Sequence, residues 1–405
     1  TQHIGAYQIE HQGKKITFVD TPGHAAFNKM RQRGAELTDI VILVVAVNDG
    51  VKPQTIESIR HIKESNVSYI VALNKIDLDD VQPDVIKGEL AEHDVLVTDL
   101  GGEIDAVEIS AKTGKGVDQL LETINVMAEL MELEADPQAP LEAVVVESEI
   151  DKYQGPIASV IVQHGTLKTR QELVAAEANG ASQTDEEEKI EGKVKALIDE
   201  HGQRLKTVKP GFPVKISGLN QVPEVGTMIH EVGAEYKVDD EAQQVAAQDE
   251  AEQAADPFAD WDFAAALDEE GQQKINLVVK ADVKGTLEAI LQTIDDESAT
   301  VVDSGVGLVS QGDVELAAAT QSTIVAFKAP VGKKVINFAK QEGVKIKEYD
   351  VIYHLIEDLQ KQMLKLMEPR IDEVETGEAE ILEIFEIDGR KIAGSRVVTG
   401  EINQH

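Results

Sequence analysis

The run Lys15-Ile16-Thr17-Phe18-Val19 alternates apolar and polar positions, and that spacing predicts a strand. Val41–Val47 is continuously apolar, the pattern of a strand covered on both faces. Tyr69–Leu73 and Ala106–Ile109 add two more strands, and helical spacing appears at Pro53–Lys63 and Val117–Leu133. Residues 84–104 follow neither period, with Gly101-Gly102 marking a loop. Strands alternating with helices over residues 1–137 predict a parallel, doubly wound layout. From 141 to 235 the helical period disappears. Short runs at Ala143–Glu147, Ile157–Gln163, Leu173–Ala176, Lys193–Ile198, Val214–Ile216 and Thr227–Val232 predict a small β-barrel. Residues 275–348 return to alternation: strands at Ile275–Lys280, Ala299–Ser304, Ser322–Phe327 and Val344–Tyr349, helices at Gly285–Thr293, Gln311–Thr320 and Lys333–Gln341. Ile352, Leu355, Ile356, Leu359, Met363, Leu366 and Met367 give residues 350–369 one apolar helical face. Glu378–Ile387 and Lys391–Val398, around Asp388-Gly389, read as a hairpin opening a further barrel over 374–405. Two strands alone are marginal.

Composition changes this picture in a few places. At 405 residues the chain suits two to four domains, and its net charge of −37 repels bare polyanions. Contact with nucleic acid then calls for local basic patches or for salt screening. Lys328, Lys333, Lys334, Lys340, Lys345 and Lys347 form the basic neighbourhood the sequence shows; it suits an RNA-facing or a simply solvated face. The segment 236–272 carries twelve Asp or Glu from Asp239 to Glu270 and no Lys or Arg after Lys237, which predicts an acidic linker. Phe258, Trp261 and Phe263 within it read as a small apolar patch or a docking point. Ala181–Glu191, with Asp185-Glu186-Glu187-Glu188, reads as an acidic hairpin insertion. With no cysteine, disulfides and thiolate metal sites are excluded. No apolar run approaches a membrane span, so a cytoplasmic monomer without membrane contact is expected. Both ends read as cut from a longer polypeptide.

Three motifs carry candidate chemistry, each at the C-terminal end of a predicted strand, where open α/β sheets bind ligands. Asp20-Thr21-Pro22-Gly23-His24 supplies a carboxylate able to hold Mg²⁺ through water and a glycine N–H able to approach a terminal phosphate. By itself Asp-x-x-Gly also describes an ordinary strand-to-loop turn. In Asn74-Lys75-Ile76-Asp77 the carboxylate can accept from the N1–H and 2-amino group of guanine, donors that adenine lacks. The Lys stem can lie over the base and the Asn can tie loops together. Ser110-Ala111-Lys112 offers a backbone N–H to the guanine 6-oxo group. No Gly-x-x-x-x-Gly-Lys-Ser/Thr phosphate loop occurs anywhere in the chain. Lys280–Thr286 has a slight likeness to one and reads as a tight strand-to-helix turn.

On these motifs the chain resembles the translational GTPases. Within them, Thr1–Tyr7, Phe18–Phe27 and Met30–Ala35 resemble the bacterial translation initiation factor 2 family. Gly155–Val160 with Gly165–Lys168 resembles that family's second domain, and Ser304–Gly307 with Lys345–Tyr349 its third. The resemblance implies an α/β multidomain chain: a P-loop GTPase-like parallel sheet lacking its phosphate loop (1–137), a β-barrel (141–235), the acidic linker, an α/β sandwich (275–348), a long connecting helix (350–369) and the start of a second β-barrel (374–405). It implies GTP or GDP bound by Asp20, Thr21, Pro22, Gly23, His24, Asn74, Lys75, Asp77, Ser110, Ala111 and Lys112. It places Mg²⁺ on Asp20 and Thr1, and His24 as the catalytic residue beside the attacking water. The implied partners are both ribosomal subunits, initiator formylmethionyl-tRNA and other initiation factors. A catalytically inactive ribosome-binding scaffold and an elongation- or selenocysteine-type factor are the alternatives. The α/β third domain and long helix argue against the last.

Overall fold

The computed structural model describes residues 3–23, 25–176, 190–233, 274–294, 299–367, 377–387 and 390–400. Thr1, His24, residues 181–189 of the acidic insertion, the acidic segment 236–272 and the Asp388-Gly389 turn lie outside them. The chain divides into two units, Thr1–Asp358 and Leu359–His405.

In the first unit β1 (Gly5–His11) and β2 (Lys14–Asp20) form an antiparallel hairpin, with Tyr7 stacked on Phe18. A 3-10 turn (Ala25–Phe27) leads into α1 (Asn28–Glu36). Then β3 (Ile40–Ala46), α2 (Pro53–Glu64), β4 (Ser68–Asn74), α3 (Pro83–Ala91), β5 (Ala106–Glu108) and α4 (Val117–Leu130) build a parallel sheet in the order β3-β4-β5. The hairpin is not hydrogen-bonded to that sheet, so the doubly wound region carries two sheets. They share one core, in which Ile9, Ile16 and Phe18 pack with Ile70, Ala72, Val107 and Ile124. With β3 at an edge, Val44 is 55% exposed, and the strand expected to be covered on both faces is open there. The patternless stretch 84–104 holds α3, a helix with Pro83 at its start and few buried positions, chiefly Ile86 and Leu90.

The strands β6 (Glu142–Asp151), β7 (Gly155–His164), β9 (Glu172–Ala176), β10 (Ile190–Ile198), β13 (Pro213–Leu219) and β14 (Met228–Glu231) pair antiparallel in the order β10-β13-β7-β6-β14-β9. Pairing of β9 with β10 closes the six-stranded barrel. Val145, Val160, Leu173, Leu197, Ile216 and Ile229 fill its interior. The short strands β8 (Leu167–Lys168) and β12 (Thr207–Val208) make a separate ribbon, and β11 (Arg204–Leu205) pairs with the end of β10.

The third sheet is parallel throughout: β15 (Ile275–Ala281), β16 (Ala299–Val306), β17 (Thr323–Phe327) and β18 (Ile346–Tyr349), in the order β16-β15-β17-β18. Helices α5 (Lys284–Thr293), α6 (Gln311–Ala319) and α7 (Lys333–Glu342) connect the strands, and α8 (Ile352–Met367) follows. Ile352 and Leu355 on α8 are buried, as the apolar face predicts. In the second unit β19 (Gly377–Ile387) and β20 (Arg390–Gly400) form the expected hairpin, with Ile381, Leu382 and Ile384 exposed.

Candidate nucleotide site

Parallel pairing of β3, β4 and β5 brings their C-terminal ends to one sheet edge, with Ala46 beside Asn74 and Leu73 beside Glu108. The loops leaving that edge are locked to each other. Ile109 N–H donates to Leu73 O at 2.8 Å and Ile76 N–H to Ile109 O at 3.3 Å. Asn74 Oδ1 accepts from Lys75 N–H at 2.7 Å and from Ala111 N–H at 3.0 Å. Asn74 therefore ties the two loops together, as its place in the motif predicts. Asp77 Oδ1 accepts from the hydroxyl of fully buried Ser110 at 2.7 Å, and Ser110 Oγ in turn accepts from Thr113 N–H at 3.2 Å. Lys112 Nζ stands 4.0 Å from Asp77 Oδ2. The Ser110 hydroxyl is the main cause that holds the Asp77 carboxyl below its usual range, and the Lys112 charge adds to it. The carboxylate is thus ionised and has an oxygen to offer a paired donor such as the N1–H and 2-amino edge of a guanine.

Two details of this network are not legible in the motifs. Lys75 takes a left-handed backbone, with φ 72°, and its ammonium meets Asp49 Oδ2 at 2.8 Å. That hydrogen bond lowers the Asp49 carboxyl in turn. The Ala111 N–H is already engaged by Asn74, so a 6-oxo acceptor there shares or displaces that bond. At the base of the third motif, Gly116 (φ 76°) starts α4, and a Cβ at that position would collide with the Glu108 carbonyl.

The first motif stands on the other sheet. Asp20 ends β2 opposite Gly5, Pro22 is buried and Gly23 is exposed. Arg31 on α1, only 8% exposed, fastens this loop: its Nη1 donates to Pro22 O at 3.2 Å and its Nη2 to Glu57 Oε2 on α2 at 2.7 Å. A Cβ on Gly34 would lie 2.7 Å from Thr21 Cγ2, so α1 runs tight against the loop. In the sequence Arg31 appears only within the Met30–Ala35 resemblance; an arginine two residues from a second one carries no local signal of burial. Among the described residues no cluster of three His, Cys, Asp or Glu could hold a metal. One carboxylate at Asp20 suits a Mg²⁺ that takes its other ligands from phosphate oxygens and water.

The basic residues also regroup. Lys328 follows β17 while Lys345 precedes β18, at opposite ends of the third sheet, and Lys347 pairs with Asp358 at 2.6 Å. Those six lysines are not one patch. The barrel supplies a tighter one: exposed Lys168, Arg170, Arg204, Lys206 and Lys209 gather around the β8–β12 ribbon, with no carboxylate partner among the described residues. The signal for it is present in the sequence, since residues 201–217 contain no Asp or Glu at all.

Three family descriptions match successive parts of the chain: Elongation factor Tu GTP binding domain over residues 1–129, Elongation factor G domain 2 over 140–232 and Translation-initiation factor 2 over 247–360. Translation initiation factor IF-2 of Bartonella tribocorum is 42% identical over 414 aligned residues, covering 100% of this chain and 48% of its own length. That of Rubrobacter xylanophilus is 42% identical, covering 100% of this chain and 58% of its own. The chain thus spans about half the length of the curated relatives it matches. The crystal structure of GDP-bound aIF5B from Aeropyrum pernix aligns over 98% of this chain and 75% of that one, with 24% identity and a TM-score of 0.49.

Proposed function

We propose, the chain belonging to the translation initiation factor 2 family of translational GTPases, that its first 137 residues hold a guanine nucleotide at the edge where β4 and β5 end. The observation that carries this reading is the Asp77–Ser110 and Asn74–Ala111 network, which presets an ionised carboxylate between two interlocked loops. Asp77 reads the guanine N1–H and 2-amino group, Lys75 covers the base, and Ser110, Ala111 and Lys112 close its 6-oxo side. Asp20 and Thr1 would hold Mg²⁺, which would supply charge stabilisation to the phosphates. Gly23 presents its backbone N–H toward the terminal phosphate, with Thr21 and Pro22 forming the loop that leads to it, and His24 orients the attacking water. In the whole protein this site hydrolyses GTP to GDP and phosphate on the ribosome, after formylmethionyl-tRNA is placed on the small subunit and the subunits join. The domain boundaries at 137, 141, 235 and 275 belong to the same proposal. The basic ribbon of the barrel supports a ribosomal partner, since phosphate contacts need unpaired cations in so acidic a chain.

The 405 residues contain no phosphate-cradling glycine loop, so this chain by itself relies on base contacts and binds weakly. Titration with fluorescent GDP and GTP in Mg²⁺, with ATP as competitor, tests the reading. Guanine binding that ATP does not displace supports it. Equal competition by ATP overturns the base assignment. No binding at all agrees with the missing phosphate loop, leaves the scaffold reading open and moves the test to a longer polypeptide.

A further inference from the structure

The barrel meets the third sheet through a buried carboxylate that the nucleotide chemistry leaves unused. Glu147 lies on β6 and is 6% exposed. Its Oε1 accepts from Gly285 N–H and from Ser148 N–H, each at 3.1 Å, while Oε2 is buried without a hydrogen-bond partner. Gly285 sits in the first turn of α5, so a side chain of the barrel occupies the anion position of that helix N-terminus. This is the turn whose sequence, Lys280–Thr286, has a slight likeness to a phosphate loop; a carboxylate from within the chain takes the place. A Cβ on Gly285 would lie 3.1 Å from Oε2 and 3.4 Å from Oε1, so the glycine leaves the room the carboxylate needs. A β-bridge between Glu149 and Val283 and an ion pair of 2.5 Å between Lys284 and Glu224 complete the seam.

The charged groups around Glu147 come from every element of the junction. His3, ahead of β1, faces it and meets Asp282 at 2.9 Å. Glu288 on α5 faces it with like charge and is held by Arg33 of α1 at 2.5 Å, while burial, with Glu224 beside it, raises its own carboxyl. Glu149 on the same strand is paired with Lys215 of β13 at 2.9 Å. A cavity of about 300 Å³ lined by His3, Glu147, Glu149, Lys215 and Val283 gives water a way in.

We propose that Glu147 makes the docking of the third sheet on the barrel proton-linked, the closed junction taking up a proton at this carboxyl and loosening when the proton leaves. Burial pushes the Glu147 carboxyl up to about 7, against the two backbone N–H donors and His3, which act the other way. A carboxyl raised in the docked form binds its proton more tightly there than in the open form. Docking is therefore strongest at acid pH and weakens as pH rises to about 7, where the docked carboxyl ionises. Between pH 6 and pH 8 the docking equilibrium falls roughly tenfold.

Hydrogen exchange on the whole chain, converted to protection factors at each pH, reads this directly in peptides covering 283–287 and 224–227. Wild type is expected to lose protection about tenfold from pH 6 to pH 8. Glu147→Gln, neutral and of the same shape, is expected to lose most of the slope and keep only the smaller part that Glu288 contributes, and His3→Gln to keep the slope. A flat wild type, a Glu147→Gln variant with the wild-type slope, or a slope that disappears with His3 overturns the proposal. If Glu147→Gln does not fold, Gly285→Ala, whose methyl crowds both Met30 Cε and the carboxylate, takes away the Gly285 N–H contact that lowers the carboxyl, and the midpoint must then move up from that of wild type. None of these readouts involves nucleotide, so failure here and failure of the guanine assignment are separate results.

Discussion

In the proposed guanine site, Asp77 is where single atoms decide specificity. Replacing it by Asn would turn the acceptor proposed to face the base edge into a donor, which suits the 2-oxo group of xanthine and repels the 2-amino group of guanine. Asp77→Asn is expected to exchange a preference for guanine for a preference for xanthine of at least tenfold, read by competition of GDP and XDP for a fluorescent nucleotide. The Ser110 hydroxyl keeps Asp77 ionised, and a carboxyl held below its usual range stays charged as pH falls. Binding is therefore expected to be flat from pH 8 to pH 5 in wild type. In Ser110→Ala the carboxyl returns toward its ordinary value and the acid limb of the binding curve moves up in pH. At Gly116 a methyl meets the Glu108 carbonyl in a left-handed backbone. Gly116→Ala is expected to cost about 1–3 kcal/mol in chemical denaturation, by strain and by loosening the Ser110 loop.

At the scale of elements, α1 links the Asp20–Gly23 loop to α2 through one buried side chain. Removing Arg31 strands Glu57 and frees the Pro22 carbonyl. Arg31→Ala is expected to destabilise by about 3 kcal/mol, since breaking one side of a buried pair leaves an uncompensated charge. Replacing both partners by Met recovers most of that loss, and a denaturant series over the single and double variants checks it. The element scale also shows where the sequence could be read and where it could not. Strands β2, β4 and β15 and helices α2 and α4 lie within a few residues of their patterns, because β4 and β15 bury consecutive apolar residues on both faces and α2 and α4 bury one apolar stripe. Helix α3 escaped the pattern because it is short, and its buried Lys87 is neutralised by Asp99, Glu108 and Asp84 instead of packing as an apolar residue. Polar burial of that kind is invisible until the partners are brought together by the fold.

Across the whole molecule, net charge and local charge point in opposite directions. A chain of net charge −37 repels RNA at long range, yet the β8–β12 ribbon concentrates five cations. If the proposed ribosomal partner holds, exchanging Lys168, Arg170, Arg204, Lys206 and Lys209 for Gln is expected to weaken association with small ribosomal subunits, and to flatten its salt dependence by up to about 0.7–0.9 log units per lost phosphate contact. Sedimentation at several salt concentrations measures both. The sequence by itself determined the succession of α/β, β and α/β regions, because burial period is a local property of the chain. It also determined the three motifs at strand ends, because their residue types are dictated by the groups they would bind. Tertiary structure alone decided that the hairpin and the parallel sheet are separate ladders over one core. It alone made Arg31 and Lys87 buried charges with partners, and scattered six lysines while gathering five other cations. It alone placed Glu147 of the barrel at the N-terminus of α5, 138 positions along the chain. The physical reason is common to all of these: desolvation and pairing depend on what surrounds a group in space, and residues distant in sequence supply those surroundings.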